Sequence, residues 1–141
     1  MNGSFVNALF YEEAVGTFAD GYVFKSTPDL TTAQQDPSNG YWRCDIANHD
    51  KLTWSDKVYE LFGLPAGSSI TRDLAVARYS GESRKALERV RNFGLRRDFG
   101  FILDAQINSQ DEDARWIRIL SVPIVAKGRV VALHGLKRAV P

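Results

Sequence analysis

The 141-residue chain has little of what makes a small protein reactive. Its one cysteine, Cys44, excludes an intramolecular disulfide and offers no zinc-ligand spacing. Two histidines, His49 and His134, are too few for a metal cluster. No apolar run approaches the ~18 residues of a membrane span, and the opening MNGSFVNALF lacks the basic flank and apolar stretch of a secretory signal. The expectation is a soluble, cytoplasmic protein with no membrane partner. Charge of one sign is not in excess either: 18 Lys and Arg against 17 Asp and Glu leave a net +1, so no nucleic-acid partner is expected. There is no nucleophile elbow, no phosphate loop and no histidine–carboxylate pair at a suggestive interval. Asp111, Glu112 and Asp113 fall in a hairpin turn, where acidic residues are common for backbone reasons. The chain reads as a non-enzyme.

What is present is ordinary material for a core: 44% hydrophobic and 25% charged residues in a length that suits one domain. A chain of this length buries about two thirds of its unfolded surface. Residues 4 to 18, SFVNALFYEEAVGTF, place Phe5, Val6, Leu9, Phe10, Ala14 and Val15 at helical spacing after a possible Ser4 cap. The run STPDLTTAQQDPSNG (26 to 40) reads as loop, and the compact domain is expected to begin near Gly40. In GYWRCDIANHDKLTWS, Trp42, Cys44 and Ile46 alternate with Arg43 and Asp45, the period of a half-buried strand. A polar turn then leads to Leu52-Thr53-Trp54.

Ser55 caps a short helix, DKVYELFG, stopped at Gly63. Thr71 caps a second, RDLAVARY, and Ser80 opens a third, GESRKALERVRNFG, ended by Gly94. The third helix has Ala86, Leu87, Val90 and Phe93 on one face and Arg84, Lys85, Arg89 and Arg91 on the other. Then come strands: FGFILDAQIN (99 to 108), RWIRILSVPIV, and, after Lys127-Gly128, RVVALHGLKRAV. Pro123 marks an edge, a bulge or a non-bonded position. Tight turns between consecutive strands make the sheet antiparallel and the class α+β.

That order, with these residues, resembles the PAS sensor domain, in particular its PAS-fold-3 branch. Gly40, Trp42, Asp45, Leu52, Thr53, Trp54 and Ser55 are similar to the family's opening G-x-W-x-x-D…L-x-W-S. Tyr59-Glu60-Leu61-Phe62-Gly63-Leu64 is similar to its first-helix ending, Trp116-Ile117-Arg118 to its second long strand, and Gly128 to Gly135 to the last turn and strand. The resemblance spans about residues 40 to 139. It implies a five-stranded antiparallel sheet with short helices on one face, a space between them that is either core or pocket, and an N-terminal amphipathic helix or a second copy on the other face. Domain organisation follows: 1–39 as an N-terminal helix and loop serving as cap or dimerisation segment, and 40–141 as the PAS-like domain. The sequence departs from the family at Ser80-Gly81-Glu82-Ser83, at Asp104-Ala105-Gln106, and at Lys137-Arg138-Ala139, which replaces the exit motif Asp-Ile-Thr. The last departure implies an excised fragment or a module that acts alone through a non-covalent partner.

Under that resemblance the leading expectation is a stand-alone sensory module that takes a small apolar or amphipathic ligand and regulates a protein partner. The alternative is a ligand-free adaptor acting only through protein contacts, with a homodimer built on the N-terminal helix and the outer sheet face. Strand register and helix faces give twelve candidate ligand-binding residues: Trp42, Cys44, Tyr59, Leu61, Phe62, Leu87, Val90, Phe101, Leu103, Ile119, Leu133 and His134. The cofactor is left unknown. Cys44 lies in the first strand, outside any N-C-R-F-L-Q-type motif, which disfavours a flavin photoadduct. Haem-binding relatives ligate through a histidine on the long helix, and residues 81 to 94 contain none. His134 interrupts an apolar strand and faces either a ligand or the outer surface, while His49 reads as a solvated turn residue. The basic residues Arg84, Lys85, Arg89, Arg91, Arg96 and Arg97 read as a solvated helix face, with an acidic protein partner as the minority reading.

Overall fold

The fold is one antiparallel sheet with three helices on one face, in a computed structural model that describes residues 16–18, 21–25, 27–108 and 115–140. The strands are β1 (Gly16–Phe18), β2 (Gly21–Phe24), β3 (Gly40–Asp45), β4 (Lys51–Trp54), β5 (Gly100–Ile107), β6 (Arg115–Ala126) and β7 (Arg129–Ala139). The helices are α1 (Asp56–Phe62), α2 (Arg72–Val76) and α3 (Gly81–Arg97). Strand order is β1-β2-β5-β6-β7-β3-β4, every neighbouring pair antiparallel.

The sheet therefore has seven strands where five were expected, and the two additions lie at the expected N-terminal helix and just beyond it. Gly16–Phe18 is strand rather than the end of a helix, and Tyr22-Val23-Phe24 follows it in a second strand. Residues 4–15 lie outside the described residues. At 16 to 18 the expected helix gives way to pairing with β2, which in turn runs along β5 with Val23 opposite Phe101, so an otherwise open edge gains a hydrogen-bonded partner. Tyr22, Val23 and Phe24 are also aromatic and β-branched residues that suit a pleated surface.

Alternation along the strands sorts side chains into two cores. Toward the helices point Trp42, Cys44, Phe101, Leu103, Ala105, Ile107, Ile117, Ile119 and Leu133, which pack with Val58, Tyr59, Leu61, Phe62, Tyr79, Ala86 and Val90. On the outer face, Phe24, Ile102, Leu120, Val122 and Leu136 are covered by Leu30 and Ala33, from the polar segment that reads as loop. That segment makes only one 3-10 turn, Ala33–Gln35, and Asn39 Nδ2 donates to Ala33 O at 3.0 Å to hold it down. Its few apolar residues do the covering expected of a helix.

The caps are in place but not always by the expected atoms. Thr71 Oγ1 accepts from Leu74 N at 3.2 Å at the start of α2. Ser55 instead accepts from Tyr41 N at 2.9 Å, tying β3 to the end of β4 just before α1 begins. Gly63 ends α1 in the left-handed region at φ 70°. Gly94 does not end α3. The helix continues to Arg97, and Asp98 closes it at φ 58°. A Cβ on Gly94 would stand 2.8 Å from Phe99 O, so its role is close approach of the helix to the chain returning into β5. Pro123 lies beyond Ser121, the last β6 residue paired with β5, and pairs on its other side with Leu133 of β7.

Candidate functional site

A cavity of about 60 Å3 lies between the helix-side face of the sheet and α2–α3. Its floor is Trp42 and Cys44 from β3, Phe101 from β5, Ile119 from β6 and Leu133 from β7, with Trp54 from β4 at the side. The roof is Ala75 and Val76 on α2, Tyr79, and Leu87 and Arg91 on α3. Backbone bonds fix that roof: Ser80 N donates to Gln106 O at 2.9 Å and Asn108 N to Arg78 O at 3.0 Å, pinning the α2–α3 connection to the end of β5. Ser83 Oγ accepts from Gln106 N at 2.8 Å and adds a side-chain clasp.

The polar group that matters is Lys137. It lies on β7 opposite Gly40 and Ile119, two residues beyond Gly135 and four beyond Leu133, and so on the inward register. Only 7% of it is exposed. Its Nζ donates to Tyr79 Oη at 3.0 Å and lies 5.0 to 5.7 Å from the ring centres of Phe62, Trp42, Trp54 and Tyr79. Among the described residues no carboxylate pairs with it. Ring faces favour the ammonium by ~0.5–2 kcal/mol each. Withdrawing an unpaired charge from water costs several kcal/mol. Burial dominates and brings Lys137 down to about 7. Tyr79, wholly buried beside it, is pushed well above the usual phenol range by the same loss of water.

Two arginines complete the polar wall. Arg91, whose side chain is 15% exposed, meets Asp50 of the β3–β4 turn at 3.3 Å, and Arg72 pairs with Glu88 of α3. Asp50 reaches the site because His49 and Asp50 both adopt left-handed backbone, at φ 56°, which turns the carboxylate back over the strand. Cys44 Sγ donates to the same carboxylate oxygen at 3.7 Å. Burial first, and Asp50 second, raise the Cys44 thiol, so it stays protonated and unreactive.

Gly135 makes the floor possible. A Cβ there would come within 1.7 Å of Leu120 O. With no side chain, the Trp42 indole crosses β7 and its Nε1 donates to that same carbonyl at 3.2 Å. The rings above it interlock: Trp54 stacks on Phe62 at 4.7 Å, and Phe62 meets Tyr79 edge-on at 5.7 Å.

Of the twelve residues nominated from sequence, Trp42, Cys44, Leu87, Phe101, Ile119 and Leu133 line the cavity. Tyr59, Leu61, Phe62, Val90 and Leu103 belong to the surrounding core instead. His134 points the other way: it sits between inward Leu133 and Gly135, and its Nδ1 bonds Tyr41 Oη at 3.0 Å across the outer face. The outward alternative for His134 is the one the strand register selects. Burial, and then Arg43, hold it below the usual histidine value. Sequence reading missed Leu52, Trp54, Arg72, Ala75, Val76, Tyr79, Arg91 and Lys137. Arg91 reads from sequence as part of a solvated face, yet the helix turns it inward beside Leu87. Lys137 carried a usable signal, since period-2 alternation from Leu133 through Gly135 predicts it inside.

No protein-family model matches the chain, and no curated protein matches its sequence. Solved structures do. The N-terminal domain of a diguanylate cyclase with PAS/PAC sensor from Marinobacter aquaeolei aligns over 72% of this chain and 94% of its own, at 17% identity and a TM-score of 0.64. A sensory box histidine kinase/response regulator from Burkholderia thailandensis aligns over 79% and 83%, at 15% identity and a TM-score of 0.66. The PAS domain of the fruit-fly ELK potassium channel aligns over 79% and 94%, at 14% identity and a TM-score of 0.54. The chain has the PAS fold. Light-oxygen-voltage domains are also among its neighbours, one at 20% identity. A flavin does not fit this PAS cavity as it stands, since pockets for molecules of that size run to ~300 Å3 or more and this one is about 60 Å3. Among the described residues, no helix is long and apolar enough to cross a membrane and no His/Cys/Asp/Glu cluster has metal-holding geometry.

Proposed function

We propose that this chain is a PAS-type sensory module, not an enzyme, which takes a small amphipathic molecule between sheet and helices and passes occupancy to a protein partner. The observation that carries the reading is the cavity itself, with apolar walls and one buried amine. A pocket of that make-up orients a ligand through a few polar anchors while apolar contact supplies affinity. The neighbours described as sensor domains of a cyclase and a histidine kinase support the signalling role. The Gly40–Ser55 hairpin and Trp116-Ile117-Arg118 support placing the chain in the PAS-fold-3 branch. Ligand contact with Trp42 and Leu133 would bear on β3 and β7, whose opposite sides form the outer face, and so on whatever docks there. A second copy of the chain is the proposed occupant of that face, with Trp116, 48% exposed at the start of β6, as an apolar contact.

One observation favours a second reading. The cavity is small enough for the rings around Lys137 to be its effective filling, as in a ligand-free adaptor that works through its surface alone. Native mass spectrometry of gently purified protein, with an absorption spectrum of the same sample, separates the two. A reproducible added mass lost on denaturation supports the sensor. A clean apo mass after incubation with cell extract supports the adaptor, and the same spectrum reports monomer or dimer.

A further inference from the structure

Three basic side chains, Arg72, Arg91 and Lys137, contribute to the cavity wall, and no carboxylate does. The acids nearest them stand behind: Glu88 pairs with Arg72, and Asp50 is shared between Arg91 and the Cys44 thiol. Among the described residues Lys137 has no such partner and one hydrogen bond, to Tyr79 Oη, whereas an ammonium has three protons to donate. A buried ammonium that lacks both water and an anion is left with an uncompensated charge. Apart from the Cys44 thiol and the Tyr79 hydroxyl, the remaining lining is aliphatic or aromatic, with Leu87, Phe101, Ile119 and Leu133 among it.

We propose that the ligand is a short-chain monocarboxylate, its carboxylate received by Lys137 Nζ and turned toward Arg91, its hydrocarbon end against Leu87, Phe101 and Leu133. The proposal rests on the ligand-sensing reading above and names the ligand class. Apolar walls argue against a bare inorganic anion, which would leave them uncovered. Size sets the chain length: one water needs about 10–15 Å3 of such space, so about 60 Å3 admits only a handful of non-hydrogen atoms.

The arrangement makes uptake of the anion depend on a proton. Sharing the cavity with Lys137 are Cys44 on β3, Tyr79 on the α2–α3 connection, Arg72 on α2 and Arg91 on α3, with Asp50 and Glu88 behind the arginines. Burial lowers the amine and Cys44 opposes that only in part, with no carboxylate among the described residues paired to it. With its value near 7, Lys137 is mostly neutral at pH 8, and an arriving carboxylate restores the ammonium. Binding at pH 8 therefore takes up close to one proton per site.

The test is calorimetric titration of the full chain with butyrate, with isosteric butyramide and with inorganic phosphate, at pH 8 in two buffers of different ionisation enthalpy. The expected result is butyrate binding at least tenfold tighter than butyramide, with proton uptake, and no measurable phosphate binding. Lys137→Met is expected to abolish both the uptake and the preference. Equal binding of butyrate and butyramide, binding without proton uptake, or phosphate as the tighter ligand overturns the proposal. If Lys137→Met fails to fold, the butyrate–butyramide contrast on the wild-type chain decides alone. Native mass spectrometry separates the two levels of failure. A neutral ligand retained from cells overturns the carboxylate and leaves the sensor standing; no butyrate binding together with a clean apo mass removes both.

Discussion

On the outer face of the sheet, Arg118 holds Asp104 through two hydrogen bonds, Nε at 2.6 Å and Nη2 at 2.8 Å, and His134 bonds Tyr41. On the helix face, Lys137 is more completely withdrawn from water but has a phenol and four rings in place of a counter-ion. The outer face pairs these four polar side chains with one another and fills its apolar centre with Leu30 and Ala33. The helix face leaves a charge unanswered beside a cavity. An apolar residue in place of such a lysine would spare the fold the cost of burying an amine without a counter-ion.

The comparison can be broken at its shared strand. Gly135→Ala puts a methyl group into Leu120 O, and relief requires parting β6 from β7 and displacing Trp42. The expected loss is ~3 kcal/mol or more, read from the urea midpoint, and a loss under 1 kcal/mol would mean that the indole does not cross β7. Leu30→Ala probes the outer cover. Leu30 is 3% exposed, and truncation should cost ~2–3 kcal/mol. A change near zero would show that residues 27–39 do not pack on the sheet.

Lys137→Met sharpens the other side. The folded value of about 7 lies below the ~10.4 of an exposed lysine, so between these limits the unfolded chain binds more protons than the folded one. Wild-type stability should rise with pH from about 7 to 10. Methionine should remove that slope and stabilise the protein at pH 7 by ~1 kcal/mol or more. Denaturant titrations at pH 7, 8 and 9 check both points, and a flat wild-type profile would place the amine in water. The smallest effect belongs to His134. Its folded value is depressed, so the folded state binds fewer protons, and stability falls as pH drops from about 6.5. Unfolding midpoints at pH 5.5 and 7.5 should differ less in His134→Gln than in wild type.

Much of this architecture was legible because its signals are local. Alternation in Trp42, Cys44 and Ile117, Ile119, the caps at Ser55 and Thr71, and the stop at Gly63 are all written within a few neighbouring residues. Strand alternation placed five of the twelve nominated residues on the cavity wall, and the helical spacing of α3 placed a sixth, Leu87. Phe62, Val90 and Leu103, nominated for the cavity, lie in the core without bordering it, because packing between elements decides which buried side chain borders a void. His134 was left with two faces to choose between, and the strand register chose the outer one.

By itself the sequence determined the α+β class and the order from hairpin through three helices to three long strands. Each follows from periodicity or capping over a short span. Tertiary structure alone decided that β1 and β2 join the sheet, since pairing Val23 with Phe101 bridges a long stretch of chain. It also decided that a polar loop covers the outer face and that Arg91 turns inward to Asp50. Above all it closed Trp42, Trp54, Phe62 and Tyr79 around one lysine. Those four rings come from separate segments, and no local pattern announces that they will meet.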